Sequence, residues 1–306
     1  MDKPKVIVIC GPTASGKTSL SISLAKKING EIVSCDSMQI YKEMDIGSAK
    51  PTVEEMQEIK HYLVDFVYPE KRYSVSEYKE DASKAIEEII NKGKTPIIVG
   101  GTGLYLNSLI YNIQYNEMEV DLNYRRELEK EAEEYGLEVL YNRAKEIDPE
   151  AMEKVSANDK KRITRVLEIY NATGRNKTEL EKKSRKEVPY NYLIFGINME
   201  RSILYDRINK RVDIMLEQGL IEEVKNLINK YSNMPTAMQG LGYKEVKEFL
   251  DGNISKEEMI EKIKMETRRY AKRQITWFKR IENIIWLDGL NKTEENVNSI
   301  MEVYGE

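Results

Sequence analysis

Gly11-Pro12-Thr13-Ala14-Ser15-Gly16-Lys17-Thr18 fits the pattern G-x-x-x-x-G-K-[ST], and its flanks restrict the fold more than any other stretch of the chain. Before it, residues 6–10 form a continuous apolar run, as expected of a strand covered on both faces. After it, Leu20, Leu24 and Ile28 recur at helical spacing until Asn29-Gly30 stops the helix. Strand, glycine-rich turn and helix in that order make a phosphate cradle. Backbone N–H groups turn inward at the glycines, the helix N-terminus adds its positive dipole end, and Lys17 adds a point charge. The Thr18 hydroxyl can ligate Mg²⁺.

The rest of the N-terminal third alternates strand with helix. Residues 31–35 read as a second strand that ends at Asp36, and residues 62–66 as a third. Residues 74–91 are predicted helical, with Tyr78, Ala82, Ala85, Ile86 and Ile89 on one stripe. Residues 96–99 form a short β-branched strand that runs into Gly100-Gly101-Thr102-Gly103. From about Tyr115 to Val188 the chain is charged and helical; strands return at 192–197 and 284–287. One apolar stripe, Ile208, Val212, Leu216, Val224 and Leu227, runs through 201–230. The expected fold class is α/β: a P-loop NTPase-like parallel sheet core over 1–114 and 190–306, with a helical C-terminal region and a helical insertion at 115–189.

Composition excludes several classes. No apolar run approaches the roughly 18 residues of a membrane span. The apolar run at 6–10 is shorter than the roughly 7–15 residues of a signal peptide's apolar region, so a cytoplasmic address is expected. Cys10 and Cys35 lie in apolar runs without a Cys-x-x-Cys pairing and read as buried thiols. With His61 as the single histidine, a Cys/His zinc site is excluded. The net charge of −4 hides a segregation. Residues 262–280 carry Lys262, Lys264, Arg268, Arg269, Lys272, Arg273, Lys279 and Arg280 against only Glu266. Residues 160–186 are likewise basic and 115–150 acidic. Local field decides what docks, so the two basic segments are candidate nucleic-acid surfaces, with an ordinary solvated face as the plain alternative.

An ATPase or GTPase would next need an acid at the end of a central apolar strand. The best central strand ends in Gly-Gly-Thr instead. The acid that does end a strand is Asp36, and in a parallel sheet the carboxyl ends of the strands line the ligand crevice. There it could be a metal ligand, a general base, or a cap for the residues that follow.

Seven segments in order resemble the tRNA dimethylallyltransferase (isopentenyl-tRNA transferase) family in its bacterial form. They read GPTASGKT at 11–18, DSMQIYKEMDIGSAKP at 36–51, HYLVD at 61–65, GGTGLYL at 100–106, NDKKRITR at 158–165, LGYKE at 241–245 and TRRYAKRQITWF at 267–278. The resemblance implies dimethylallyl diphosphate as donor, Mg²⁺ as cofactor, and as acceptor the exocyclic amine of the adenosine 3′ of the anticodon in tRNA. It implies Gly11, Pro12, Thr13, Ala14, Ser15, Gly16, Lys17 and Thr18 at the donor, Asp36 as general base and Thr102 beside the reacting base. Arg211, with Arg207 one turn earlier, would neutralise the departing diphosphate. Asp36, Ser37, Met38, Gln39, Thr102, Arg125, Lys161, Arg162, Ile163, Thr164, Arg165, Gln239, Gly240, Leu241, Gly242, Tyr243 and Lys244 match tRNA-contacting positions. A monomer is expected. The family often has two histidines where this chain has His61-Tyr62, so His61 is given no catalytic role, and the bacterial form is expected, without the C-terminal zinc finger of some eukaryotic members. The competing readings are a small-molecule P-loop kinase, a prenyltransferase acting on free adenylate, and an RNA-binding protein with a vestigial cradle.

Overall fold

The computed structural model describes residues 3–114 and 121–305. The first unit opens with β1 (Lys5–Cys10), α1 (Lys17–Ile28), β2 (Gly30–Cys35), α2 (Val53–Met56), β3 (His61–Tyr62), α3 (Val75–Asn91), β4 (Thr95–Gly100) and α4 (Gly103–Ile110). The chain then runs through α5 (Leu122–Tyr135), α6 (Leu137–Ile147), α7 (Pro149–Met152), α8 (Lys160–Thr173) and α9 (Lys177–Ser184). It returns with β5 (Asn191–Asn198), α10 (Arg201–Glu217), α11 (Leu220–Lys230), α12 (Tyr243–Leu250), α13 (Lys256–Phe278), β6 (Ile285–Asp288) and α14 (Thr293–Gly305).

The six strands form one parallel sheet in the order β3-β2-β4-β1-β5-β6. Parallel sheets need helices on both faces, and the apolar runs of β1 and β4 supply the buried surface: Ile7, Ile9 and Ile97 are fully buried with Leu24 of α1 and Ile300 of α14. Ser74 caps α3 through a reciprocal pair with Glu77, which sets the helix start. At the carboxyl edge the register puts Cys35, Gly100, Cys10 and Gly196 in one row across β2, β4, β1 and β5. Gly100 has no alternative there: a Cβ would stand 2.1 Å from the Cys35 carbonyl oxygen.

Two expectations are corrected. The third strand covers only His61–Tyr62, because Leu63 and Asp65 turn into left-handed backbone (φ 60° and 58°) that ends extended pairing. The stripe over 201–230 belongs to two helices, broken at Gly219 with φ 103°. The basic run of α13 is also partly committed to packing. Lys264 pairs with Asp213 (2.7 Å), Arg268 donates to Asn209 (2.6 Å), and Lys262 pairs with Glu248 (2.5 Å), tying α13 to α10 and α12. Lys272, Arg273, Lys279 and Arg280 remain exposed.

The chain divides into two compact units, Met1–Ile110 with Pro189–Glu306, and Tyr111–Val188. Residues 115–120, where the sequence places the start of the insertion, lie outside the described residues. The stem of the second unit is closed by its own backbone: Gln114 N–H donates to the Ser184 carbonyl (2.8 Å), and Ile113 bridges to Arg185. Its core is Leu128, Leu140, Ala144, Met152, Ile163, Val166 and Leu167. No helix among the described residues is long and apolar enough to cross a membrane.

Gly100→Ala forces its methyl into strand backbone, which cannot yield as a side chain can. We expect a loss of about 3 kcal/mol or more of unfolding free energy, read as a lower urea midpoint at unchanged slope.

Candidate active site

The phosphate loop leaves β1 at Gly11 and enters α1 at Lys17. Gly16 caps the helix in left-handed geometry (φ 89°), and Ala14 is left-handed as well (φ 63°). Such alternation turns successive amides to one side of the loop and forms an anion nest. Ser15 is buried and donates its hydroxyl to the Pro12 carbonyl at 2.8 Å, bracing the loop from inside. Lys17 Nζ donates to the same carbonyl at 2.6 Å, so the ammonium is held across the loop. Thr18 is exposed at the start of α1, and no group among the described residues bonds its hydroxyl.

Asp36 follows β2 directly. Its Oδ1 accepts from Met38 N–H (2.8 Å) and Gln39 N–H (3.3 Å), an Asx turn that fixes the carboxylate's direction. Oδ2 takes no hydrogen bond among the described residues. The capping role therefore falls on one oxygen of the carboxylate and leaves the other unengaged. Thr102 follows β4 and closes the adjacent wall. Its hydroxyl accepts from Ser37 N–H at 3.0 Å, and its own N–H donates to the Cys35 carbonyl at 3.1 Å. Asp36, Thr102 and the phosphate loop thus leave three adjacent strands of one row, which lie about 4.8 Å apart.

Arg211 of α10 completes the charge set. It is half-buried and close enough to Lys17 that its charge acts on the ammonium. Burial first, and the Arg211 charge second, push Lys17 down to about 8, with Asp36 pulling the other way. Burial also lowers Arg211, against the pull of Asp36 and Glu55. Two cations crowded beside one carboxylate constitute a site short of negative charge. Cys10 and Cys35 are buried and free, and desolvation pushes both thiols up to about 12, so neither offers a nucleophile. His61 is half-buried with Nδ1 on the Ile59 carbonyl (2.8 Å), and burial lowers its pKa.

The other candidate positions separate by burial. Arg207 is exposed. Gln39 commits its amide to the Ser48 and Ala49 carbonyls (3.4 and 3.0 Å). Tyr243 is fully buried, donating to Glu223 (2.8 Å) and accepting from Ser48 N–H (3.1 Å), so it works as a strut, not a contact surface. Glu223 in turn accepts from Asp45, Ile46 and Gly47 N–H, which pins the loop after Asp36 to α11. Gly242 is buried with φ 90°, Gly240 is buried beside the Met38 methyl, Leu241 and Lys244 are half-buried, and Gln239 is exposed. In the second unit Ile163 sits in the core at 0% exposure, so its side chain is removed from any surface role. Lys161 and Arg162 are exposed, while Thr164 bonds back to the Lys160 carbonyl (2.9 Å). Arg125 grips the buried Glu168 with two nitrogens (2.6 and 3.0 Å), and Arg165 approaches it at 3.4 Å.

A family model described as IPP transferase matches residues 39–281. The chain belongs to the IPP transferase family. It is 54% identical to a tRNA dimethylallyltransferase of Acetivibrio thermocellus over 92% of this chain and 91% of that one. It is 50% identical to one of Thermoanaerobacter sp. strain X514, over 97% and 96%. The solved full-length tRNA isopentenylpyrophosphate transferase of Bacillus halodurans is 41% identical, covers 99% of this chain and 96% of its own, and superposes with a TM-score of 0.75. A eukaryotic dimethylallyltransferase described as acting on tRNA aligns at 33% identity and a TM-score of 0.81, over 98% of this chain and 77% of its own.

Sequence reasoning passed over Gln274. Its Oε1 accepts from Thr13 N–H and its Nε2 donates to the Gly101 carbonyl, both at 2.9 Å. The available signal was one amide on the otherwise apolar stripe Ile263, Ala271, Phe278. Glu223 and Tyr243 likewise gave no pattern as partners, since their spacing from residues 45–48 is set only by folding.

Lys17 is largely neutral above about pH 8 and must regain its proton to hold an anion. Binding of a fully ionised alkyl diphosphate should take up most of one proton near pH 8.5 and almost none below pH 7. Affinity should weaken by up to about tenfold per pH unit above 8. Calorimetry in buffers of different ionisation enthalpy reads this directly; equal heats in all buffers at pH 8.5 would count against it.

Proposed function

We propose that the chain transfers a dimethylallyl group from dimethylallyl diphosphate to the exocyclic amine of the adenosine 3′ of the anticodon in tRNA, acting in the cytoplasm as a monomer. The observation that carries this reading is the convergence of the phosphate loop, the free Oδ2 of Asp36, Thr102 and Arg211 at one row of strand ends, with no acid after β4.

The chemistry asks for these groups. The amine nitrogen attacks the allylic carbon, the carbon–oxygen bond breaks with its electron pair going to diphosphate, and the amine proton passes to Asp36 Oδ2. An aromatic amine is a poor nucleophile whose lone pair is delocalised, so a carboxylate accepting its proton as the bond forms matters. Negative charge grows on the departing bridging oxygen, where the loop amides, Lys17 and Arg211 stabilise it without reorganising. The pressure that two crowded cations exert on each other is relieved when the diphosphate enters. Thr102, oriented by Ser37 N–H, holds the base beside Asp36.

The residues fit Mg²⁺, which the Thr18 hydroxyl would help to hold beside the donor. The Thr18 hydroxyl is unpartnered at the mouth of the cradle, and no cluster of three or more His, Cys, Asp or Glu that could cage a metal exists among the described residues. Mg²⁺ accepts that arrangement because it keeps waters and takes phosphate oxygens as ligands. When bound it supplies further charge neutralisation of the leaving group. Lys161 and Arg162, exposed on α8, and Lys272 and Arg273, exposed on α13, each support contact with phosphate backbone, which a base extruded from an anticodon loop requires. A P-loop kinase reading would leave the Asp36–Thr102 pair and these bases without a role.

Incubation with Mg²⁺, dimethylallyl diphosphate and tRNA lacking the modification, followed by nucleoside analysis by mass, should yield prenylated adenosine. Turnover of a nucleoside triphosphate with no prenylation would reject the reading. Asp36→Ala should lower kcat by about 10²- to 10⁴-fold while donor binding persists. Neutralising Lys161 and Arg162 together should weaken tRNA binding and reduce its salt slope by about 0.7 to 0.9 for each phosphate no longer neutralised. Unchanged tRNA affinity would remove α8 from the RNA surface.

A further inference from the structure

Gln274 is 5% exposed, and both ends of its amide are used on backbone. Thr13 and Gly101 belong to different loops. One holds the diphosphate and the other carries Thr102 to the acceptor. β1 and β4 pair as far as Cys10 and Gly100, and there the ladder stops. The Thr13 N–H and Gly101 carbonyl lie just beyond that last rung, and the Gln274 amide bonds each of them. The fit is tight, since a Cβ on Gly101 would meet Nε2 at 2.2 Å.

We propose that Gln274 is a positioning residue for group transfer, a rung that sets the separation of the donor cradle from the acceptor loop. The inference rests on the prenyl-transfer reading of this site. A primary amide suits the task. It offers one acceptor and one donor edge on a flat group, and it adds no charge beside Lys17 and Arg211. A carboxylate would set lone pairs against the Gly101 carbonyl. The neighbours on the same helix face act on the same loops. Tyr270, one turn earlier, borders Thr102 and Asp36, and Trp277 lies against Gly103. Because Thr13 N–H is engaged by Gln274, it is not available to a phosphate oxygen.

A displacement of about 1 Å between reacting groups is worth on the order of 10²-fold in rate. Gln274→Met keeps the volume and removes both bonds. At saturating donor and tRNA, kcat should fall at least tenfold, while the dissociation constants for an alkyl diphosphate and for tRNA change by less than about threefold. A residue that only stabilised the fold would lower the melting temperature and the active fraction without this split. Gly101→Ala reaches the same point from the other side, by displacing Nε2, and carries the test if Gln274→Met does not fold. The double variant Gly101→Ala/Gln274→Ala should be no slower than Gln274→Ala alone, because the clash has gone. A kcat within twofold of wild type, a loss tracking both binding constants, or multiplicative effects in the double variant would overturn the proposal. Wild-type transfer is the control: if it is absent, the prenyl-transfer reading fails; if it is present and Gln274→Met matches it, only the rung does.

Discussion

One row of residues at the carboxyl edge of the sheet governs everything above it. Cys35, Gly100 and Cys10 are register partners, and the chain can bring them together only because Gly100 lacks a side chain against the Cys35 carbonyl. Each strand then releases a loop at the same height. Asp36, Thr102 and the phosphate cradle start from neighbouring positions before any side chain is considered. The parallel direction of the strands, enforced by crossover helices, makes all three loops open on one side.

Above that row, polar contacts replace the missing ladder. Asp36 captures Met38 and Gln39 N–H, Thr102 captures Ser37 N–H, and Gln274 joins Thr13 to Gly101. Further out, Glu223 and Tyr243 hold residues 45–48, and Gln39 holds 48 and 49. Loops organised this way direct their dipoles at one another; among the described residues, Asp36 Oδ2 and the Thr18 hydroxyl nevertheless take no hydrogen bond. The proposed prenyl transfer assigns its work to those two atoms.

Charge is sorted in the same manner. The sequence average of −4 says little, and even the basic run at 262–280 divides, with Lys262, Lys264 and Arg268 packing the helix and Lys272, Arg273, Lys279 and Arg280 facing solvent. In the second unit Glu168 gathers Arg125 and Arg165, while Lys161 and Arg162 stay exposed. A run of like charges thus marks a region, and pairing decides which members stay open to solvent.

The cradle, the parallel sheet, the location of Asp36 and the helical character of the insertion were legible in the sequence, because each depends on local periodicity or on residues a few positions apart. Gly11 to Thr18 signals its own geometry, and apolar runs at 6–10 and 96–99 announce covered strands. The short third strand and the break at Gly219 were not legible, since isolated backbone angles there override the apolar pattern. The burial of Ile163 and Tyr243, and the two bonds of Gln274 to residues 261 and 173 positions away, were decided only by tertiary structure. An amide on a helix is the same letter whether it faces water or closes a gap between two loops, and only the packing of α13 against those loops tells the two apart.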